Sequence, residues 1–275
     1  MIITTSDRLM ALDQADLLHH PFLFWDNLGA GADLFGSSIL AGGDRFNAVN
    51  GTTADFWIPN PVQPNGVLNF DMGAPVTLTC AAIEAHNLAE FGLTARIDAS
   101  DDNTSWQSVG PAHTPADNAP LLWRFNPTTA RYWRLVINTV DPADSPAVGV
   151  VMLGRELIMP QRIYSGYAPV IAPNIVALNS NVSVGGHLMG ASTQSQGARI
   201  SLPFDLIKAE FVRGHLLPFI EAFNRGRGFF AAWLPSEHPE DVHYCWRDGS
   251  VIHPSNMGTL TFQDFTIDAR VYYDR

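Results

Sequence analysis

Along "VLNFDM", Val67, Asn69 and Asp71 alternate with Leu68, Phe70 and Met72. Along "ARYWRLVIN", Tyr132, Arg134 and Val136 alternate with Trp133, Leu135 and Ile137. A period of two residues is the period of a strand with one buried face. "LTARIDASDDNTSWQSV" reads as two such pieces around a polar turn, and "SPAVGVVMLGRELIM" as a further strand. No helix-length segment with a helical period separates them. Short strands joined by polar turns predict a sandwich or barrel.

The pattern changes in the second half. "IVALNSNVSV" and "ARISLPF" read as strands, with the Ser/Gln segment between them as an exposed turn. In "HLLPFIEAFNRGRGFF", Pro218 suits a first helical turn, Phe219, Ile220 and Phe223 share a face, and Gly226 supplies the stop. "GFFAAWLP" returns to a strand. The closing "GTLTFQDFTIDARVYYDR" alternates with a one-residue phase change near Gln263, which predicts a bulge. A composition shift near Pro160 places a boundary within residues 155–165. The expected division is residues 1–40 as an N-terminal arm and loops, 41–158 as one β-sandwich, and 159–275 as a second β domain with one helix. The apolar run "LLHHPFLFW" is either the first strand of its own domain or an arm laid on a neighbour. Phe22, Phe24 and Trp25 are therefore candidate interface residues. So are Arg225 and Arg227, which flank Gly226.

Composition narrows the function classes. Charged residues make up 16% of the chain, against roughly a quarter in ordinary domains. Sparse charge suits a component that covers surface by assembly. The formal charge of -11 gives no positive field for a phosphate backbone, so no nucleic-acid partner is expected. No apolar run is long enough for a membrane helix. The first residues lack the basic-then-apolar order of a secretory leader, which implies folding in a cytoplasm. Cys80 and Cys245 sit in apolar surroundings and read as two buried free thiols.

Catalytic patterns are weak. Asp101 and Asp102 are consecutive, whereas glycoside hydrolysis needs two carboxylates facing each other across a cleft. GxSxG, HExxH and CxxC are absent, and the histidines are scattered. The spacing of an EF-hand is missing, although a structural Ca²⁺ in a loop of the first domain is compatible with its acidic and amide residues. No cofactor and no catalytic residue are expected. "SDDNTSW" reads as a turn whose short polar side chains bond nearby backbone N–H groups. Trp106 then packs at the strand start, or offers its face to a ligand.

Taken in order, "NAVNGTTADFWIP", "LNFDMGAPVTLTCAAIEAHNL", "LTARIDASDDNTSWQSV" and "ARYWRLVI" resemble the discoidin-type, galactose-binding-like jelly roll, the coagulation factor 5/8 C-type family. The shared features are Trp57, Asp71 with Gly73, Ser100 to Trp106, and Ala130 to Leu135, over roughly residues 40–155. The resemblance implies ligand or Ca²⁺ contacts from loops at one end of the sandwich. Here these would be Asp44, Asn47, Asn50 and Asp55, with Trp57 and Trp106 as aromatic candidates. It also implies that the acidic turn is scaffold. The family's end-linking disulfide has no matching cysteine pair here, which points to an intracellular or virion setting.

"ISLPFDLIKAEFVRGHLLPFIEAFNRGRGFFAAWLP" followed by "LTFQDFTIDARVYY" resembles phage tail proteins of the distal-tail and minor-tail type, over residues 160–275. That resemblance implies a non-catalytic virion protein, assembled in the host cytoplasm as a ring or trimer of identical copies. It would link the tail tube to hub, fibre or baseplate proteins and contact a host glycan. The competing readings are a stand-alone carbohydrate-binding protein and a glycan-processing enzyme.

Overall fold

The computed structural model describes residues 1–60, 65–138, 141, 143–163, 165–258 and 261–273. The strands are β1 (Ile2–Thr4), β2 (Phe22–Asn27), β3 (Asp33–Gly36), β4 (Asn65–His86), β5 (Thr94–Ser100), β6 (Gln107–His113), β7 (Leu121–Asn138) and β8 (Val148–Ile158) in the first part. The second part adds β9 (Ile175–Val182), β10 (Leu188–Lys208), β11 (Phe229–Ala232), β12 (Val242–Arg247), β13 (Ser255–Asn256) and β14 (Phe262–Val271). A helix α1 (Ser6–Gln14) follows β1. After β10 the chain runs through α2 (Ala209–Phe211), a π turn (Val212–Leu216) and α3 (Leu217–Asn224). The protein is thus mainly β, with one major helical run in its C-terminal part, as the alternation predicts.

The alternation falls where it was read. Leu68, Phe70, Trp133, Leu135 and Ile137 are fully buried in one core. β4 and β7 pair along their length but break register between Asp71 and Val76. Gly73, at φ +73°, turns that corner. Asp71 pins it, accepting from the Gly73 N–H at 2.8 Å and from Arg131 through both carboxylate oxygens at 2.8 Å. The two halves of β4 thereby wrap around the same core.

All the strands belong to a single 14-stranded sheet, in which β2 lies between β8 and β11. β2 pairs antiparallel with both. Its alternate residues enter different cores. Phe22 and Phe24 pack with Phe230, Val242 and Tyr244. Leu23 and Trp25 pack with the C-terminal core of Phe204, Phe219, Phe223, Phe229 and Ile267. A strand buried on both faces reads as an unbroken apolar run, and this accounts for "FLFW".

Residues 1–27 are consequently not an arm. β1 pairs with β7, and Arg8 on α1 reaches Glu156 on β8, which also holds Arg124 on β7. The side chains of Glu156 and Arg124 are each 1% exposed. Arg124 also stacks its guanidinium 4.5 Å from the Phe22 ring centroid. α1 escaped the sequence reading because it buries little beyond Leu12.

Two further readings change. The Ser/Gln segment is the first half of β10, and the turn lies earlier, where Ser183 Oγ accepts the His187 N–H at 3.1 Å. The bulge expected at Gln263 is present in the pairing of β10 with β14, but the extra residue lies on β10, between Phe204 and Ile207. Leu206 there takes φ +56°. Cys80 and Cys245 are both free and buried.

Removing the Glu156 carboxylate would leave two arginines sharing a dry site. We expect Glu156→Ala to lower the unfolding free energy by about 3–5 kcal/mol, measured by urea denaturation. An exposed control, Asp101→Asn, should leave it within about 0.5 kcal/mol.

Candidate functional site

The loop read as a ligand site is bonded largely to itself. Asp44 Oδ1 accepts the Phe46 N–H at 2.9 Å, and Asn47 donates to the Phe56 carbonyl at 3.0 Å. Asn50 Oδ1 accepts the Thr52 N–H at 2.8 Å, and Asp55 Oδ2 accepts from Thr52 Oγ1 at 3.2 Å. The two carboxylates therefore shape turns. Among the described residues no group of three or more His, Cys, Asp or Glu side chains converges to hold a metal. Trp57 is fully buried and offers no face to a ligand. Trp106 is half-buried, and one face of its ring is covered by the Arg134 guanidinium, 4.1 Å from the ring centroid.

Phe22 and Phe24 are also fully buried, so their contacts are intramolecular. Trp25, Arg225 and Arg227 fare differently. With Asn50, Gly51 and Thr52 they line one groove of about 480 Å³, between the 49–52 loop and the turn after α3. The sequence reading had split these residues between a ligand loop and an interface. The fold brings them together.

Each wall has a local cause. α3 ends in a Schellman arrangement, with Arg227 N–H bonded to the Ala222 carbonyl at 3.1 Å and Gly226 N–H to Phe223 at 2.8 Å. Gly226 sits at φ +82°. The turn exposes Arg225 and Arg227 on either side of it. Neither side chain bonds to another described residue. Trp25 is held edge-on to Phe219, with ring centroids 6.4 Å apart. Asn27 is spent on structure, bonding the backbone of Val151 and Leu153 on β8. The opposite wall is tied down by Tyr244, whose hydroxyl donates to the Gly51 carbonyl at 2.7 Å. Burial pushes the Tyr244 phenol above its ordinary pKa, so it remains a donor. Gly228 makes this approach possible, because a Cβ there would stand 2.1 Å from the Tyr244 oxygen.

The sequence reading missed Tyr244 and Gly228. "GRGFF" showed a helix stop but gave no sign that a tyrosine would lie against its last glycine. Among the described residues lining the groove there is no Asp or Glu.

The acidic turn lies elsewhere. Asp101 and Asp102 are exposed. Asp102 Oδ1 accepts the N–H groups of Thr104 at 2.8 Å and Ser105 at 2.7 Å, while Oδ2 accepts the Ser105 hydroxyl at 3.0 Å. These donors, Ser105 first, hold its carboxyl well below the ordinary range. Asp98 is buried and accepts from Arg96 and Arg134.

Residues 36–149 match the F5/8 type C domain family. That segment is a discoidin-type domain. No curated protein matches the chain at a significant level. Among solved structures, the chain is similar to a Ruminococcus gnavus GH29 fucosidase in complex with fucose, with TM-score 0.41 and 16% identity, covering 48% of this chain and 27% of that one. It is similar to chitosan-binding module 1 of a Paenibacillus sp. IK-5 chitosanase/glucanase, with TM-score 0.40 and 22% identity, covering 46% and 98%. A third is a CBM32 module of a Clostridium perfringens GH89 protein, in complex with GalNAc-β-1,3-galactose, with TM-score 0.39 and 13% identity, covering 47% and 99%. The chain thus spans about a quarter of the fucosidase's length.

Two outcomes follow from this geometry. Tyr244→Phe should cost about 0.5–1.5 kcal/mol and speed proteolysis within residues 49–52, while Gly228→Ala should displace the tyrosine and do more harm, both checked by thermal unfolding and timed digestion. Asp102 has a depressed folded pKa, so its contribution is complete above the unfolded carboxyl value of about 4 and is lost as pH falls through the lower folded value. The stability gap between wild type and Asp102→Asn should therefore be widest near neutrality and shrink on acidification, as followed by denaturation at a series of pH values.

Proposed function

We propose that this chain is a non-catalytic carbohydrate-binding protein, and that the groove between the 49–52 loop and the Arg-Gly-Arg turn is its sugar site. One observation carries the reading: the groove offers an aromatic ring and two unpaired guanidinium groups, with no carboxylate among its described lining residues. A sugar ring has C–H faces that pack on an aromatic and hydroxyl edges that need hydrogen-bond partners. Trp25 supplies the first. Arg225 and Arg227 supply planar donors that suit hydroxyl, carboxylate or sulfate oxygens. A volume of about 480 Å³ lies within the range of small-molecule sites. Hydrolysis would need two facing carboxylates, and Asp44 and Asp55 of the loop beside the groove are engaged in its turns. The F5/8 type C match over residues 36–149, and the sugar-binding proteins named above, accord with this reading.

A second reading sets the same binding in an assembly. It is a virion protein of a phage tail tip, present as identical copies in a ring or trimer, that links tail tube to fibres or baseplate and meets a host glycan. The resemblance of residues 160–275 supports it. So does an exposed, uncharged ribbon in that half, which a solitary protein would have to leave wet.

Binding to a panel of neutral and acidic oligosaccharides, measured by saturation-transfer NMR and calorimetry, tests the main reading. Wild type should bind, and Trp25→Ala and Arg227→Ala should each weaken binding about tenfold or more. Asp102→Asn should leave it unchanged. Absence of binding across the panel, or cleavage of any glycan, would sink the proposal.

A further inference from the structure

Beyond the groove, the structure leaves one large feature unused. β10 pairs with β14 only from Ala198 to Lys208, whereas Leu188–Gly197 pairs with β9 alone. The ribbon Ile175–Gly197 therefore runs out past the edge of the body. Its base is clamped where Asn174 exchanges two hydrogen bonds with the backbone of Arg199, at 2.7 and 2.8 Å. A two-stranded hairpin on its own is marginal in water.

The register sorts its side chains onto two faces. Val176, Leu178, Val182 and Leu188, 46%, 62%, 59% and 68% exposed, share one with the uncharged Ser180, Ala191, Thr193 and Gln196. Ala177, Asn179, Asn181 and Ser192 share the other. At the tip, Val184 and Met189 are also exposed. No Asp, Glu, Lys or Arg occurs between Arg162 and Arg199. Exposed edges are normally guarded by charge, proline or a bulge that twists them away. This ribbon has its two register shifts but no charge and no proline within it.

We infer that the ribbon Ile175–Gly197 joins identical copies of this chain edge to edge, the β9 edge of one copy against the β10 edge of the next. Two features select a second copy as the occupant. First, the ribbon has two unlike open edges, the outer side of β9 and the outer side of Leu188–Gly197. A twofold dimer covers one and leaves the other open. A head-to-tail contact repeated around a closed ring covers both and puts the apolar faces on one side of a continuous wall. Second, each copy carries a formal charge of -11, so identical bodies repel. Contact through an uncharged ribbon brings no like charges together and desolvates none. The inference gives the assembly reading its contact and stands apart from the sugar groove.

The test uses the full chain. Light scattering and sedimentation velocity over a concentration series should give a single closed species of more than two copies of 30.1 kDa. Leu178→Asp with Leu188→Asp places charge on the apolar face, outside all three cores. That variant should be a monomer with unchanged near-UV dichroism and, if the groove binds glycan, unchanged glycan binding. Hydrogen exchange on the wild type gives a second readout that does not depend on a variant folding, because amides on the outer sides of Ile175–Val182 and Leu188–Gly197 should be protected. A wild-type monomer at its highest soluble concentration, a dimer that survives the double substitution, or open-rate exchange along the ribbon would each overturn the inference. Loss of glycan binding with the ring intact would count against the groove alone.

Discussion

Everything in this molecule is hung on β2. It is hydrogen-bonded to β8 on one side and β11 on the other, and buried on both faces. A strand in that position makes one sheet out of what would otherwise be two bodies with a linker. It cannot be withdrawn without opening two cores together, and the Arg8–Glu156–Arg124 cluster locks α1, β7 and β8 beside it. The groove inherits this rigidity. Trp25 and Asn27 are the last part of β2, and Met152, on β8 beside it, also lines the groove. A site whose walls are fixed by a shared strand loses little freedom on binding, which favours recognition of a rigid ring over capture of a flexible segment.

The far wall shows how close backbone approach is arranged. Gly228 has no side chain, so Tyr244 can lie on it, and Tyr244 can then reach the Gly51 carbonyl. Gly226 accepts a left-handed backbone and ends α3, which sets the two arginines apart on the rim. Cations also belong at a helix C-terminus, where the peptide dipoles leave partial negative charge. The same turn therefore stabilises its arginines and presents them.

Legibility in the sequence followed burial. Strands with one wet face announced themselves, because alternation is visible in "VLNFDM" and "ARYWRLVIN". β2 was legible as a strand but not as a certain one, since a run buried on both faces has no period and could also be read as an arm. The first half of β10 did not announce itself, because its partner is only β9 and its residues are small and polar. The helix face of Phe219, Ile220 and Phe223 was plain, as was its stop at Gly226. Of the site, the residue types were found but not their meeting. Asn50 was chosen for its loop, Trp25 for its apolar run and Arg227 for its charge. The pairing of β2 with β11 brings Trp25 beside the turn of Arg227, and Tyr244 on β12 holds the loop of Asn50 against them. Trp57 was chosen for a family position and is core, and Trp106 was chosen for its ring, one face of which Arg134 covers.

The distribution of charge argues most directly for a recognition surface. The chain has 27 Asp and Glu residues against 16 Lys and Arg. Arg8, Arg96, Arg124, Arg131, Arg134, Arg162 and Arg199 each have an acidic partner, and Arg45, Arg155 and Arg247 donate to backbone carbonyls instead. Arg225 and Arg227 make neither kind of bond, and the other described residues lining their groove are amides, a hydroxyl, glycines, apolar side chains and the rings of Trp25 and Tyr244. Among the described residues lining the groove there is no Asp or Glu, and Asp44 and Asp55 of the neighbouring loop are held in its turns, so the donors of both arginines stay open for the sugar proposed to bind there.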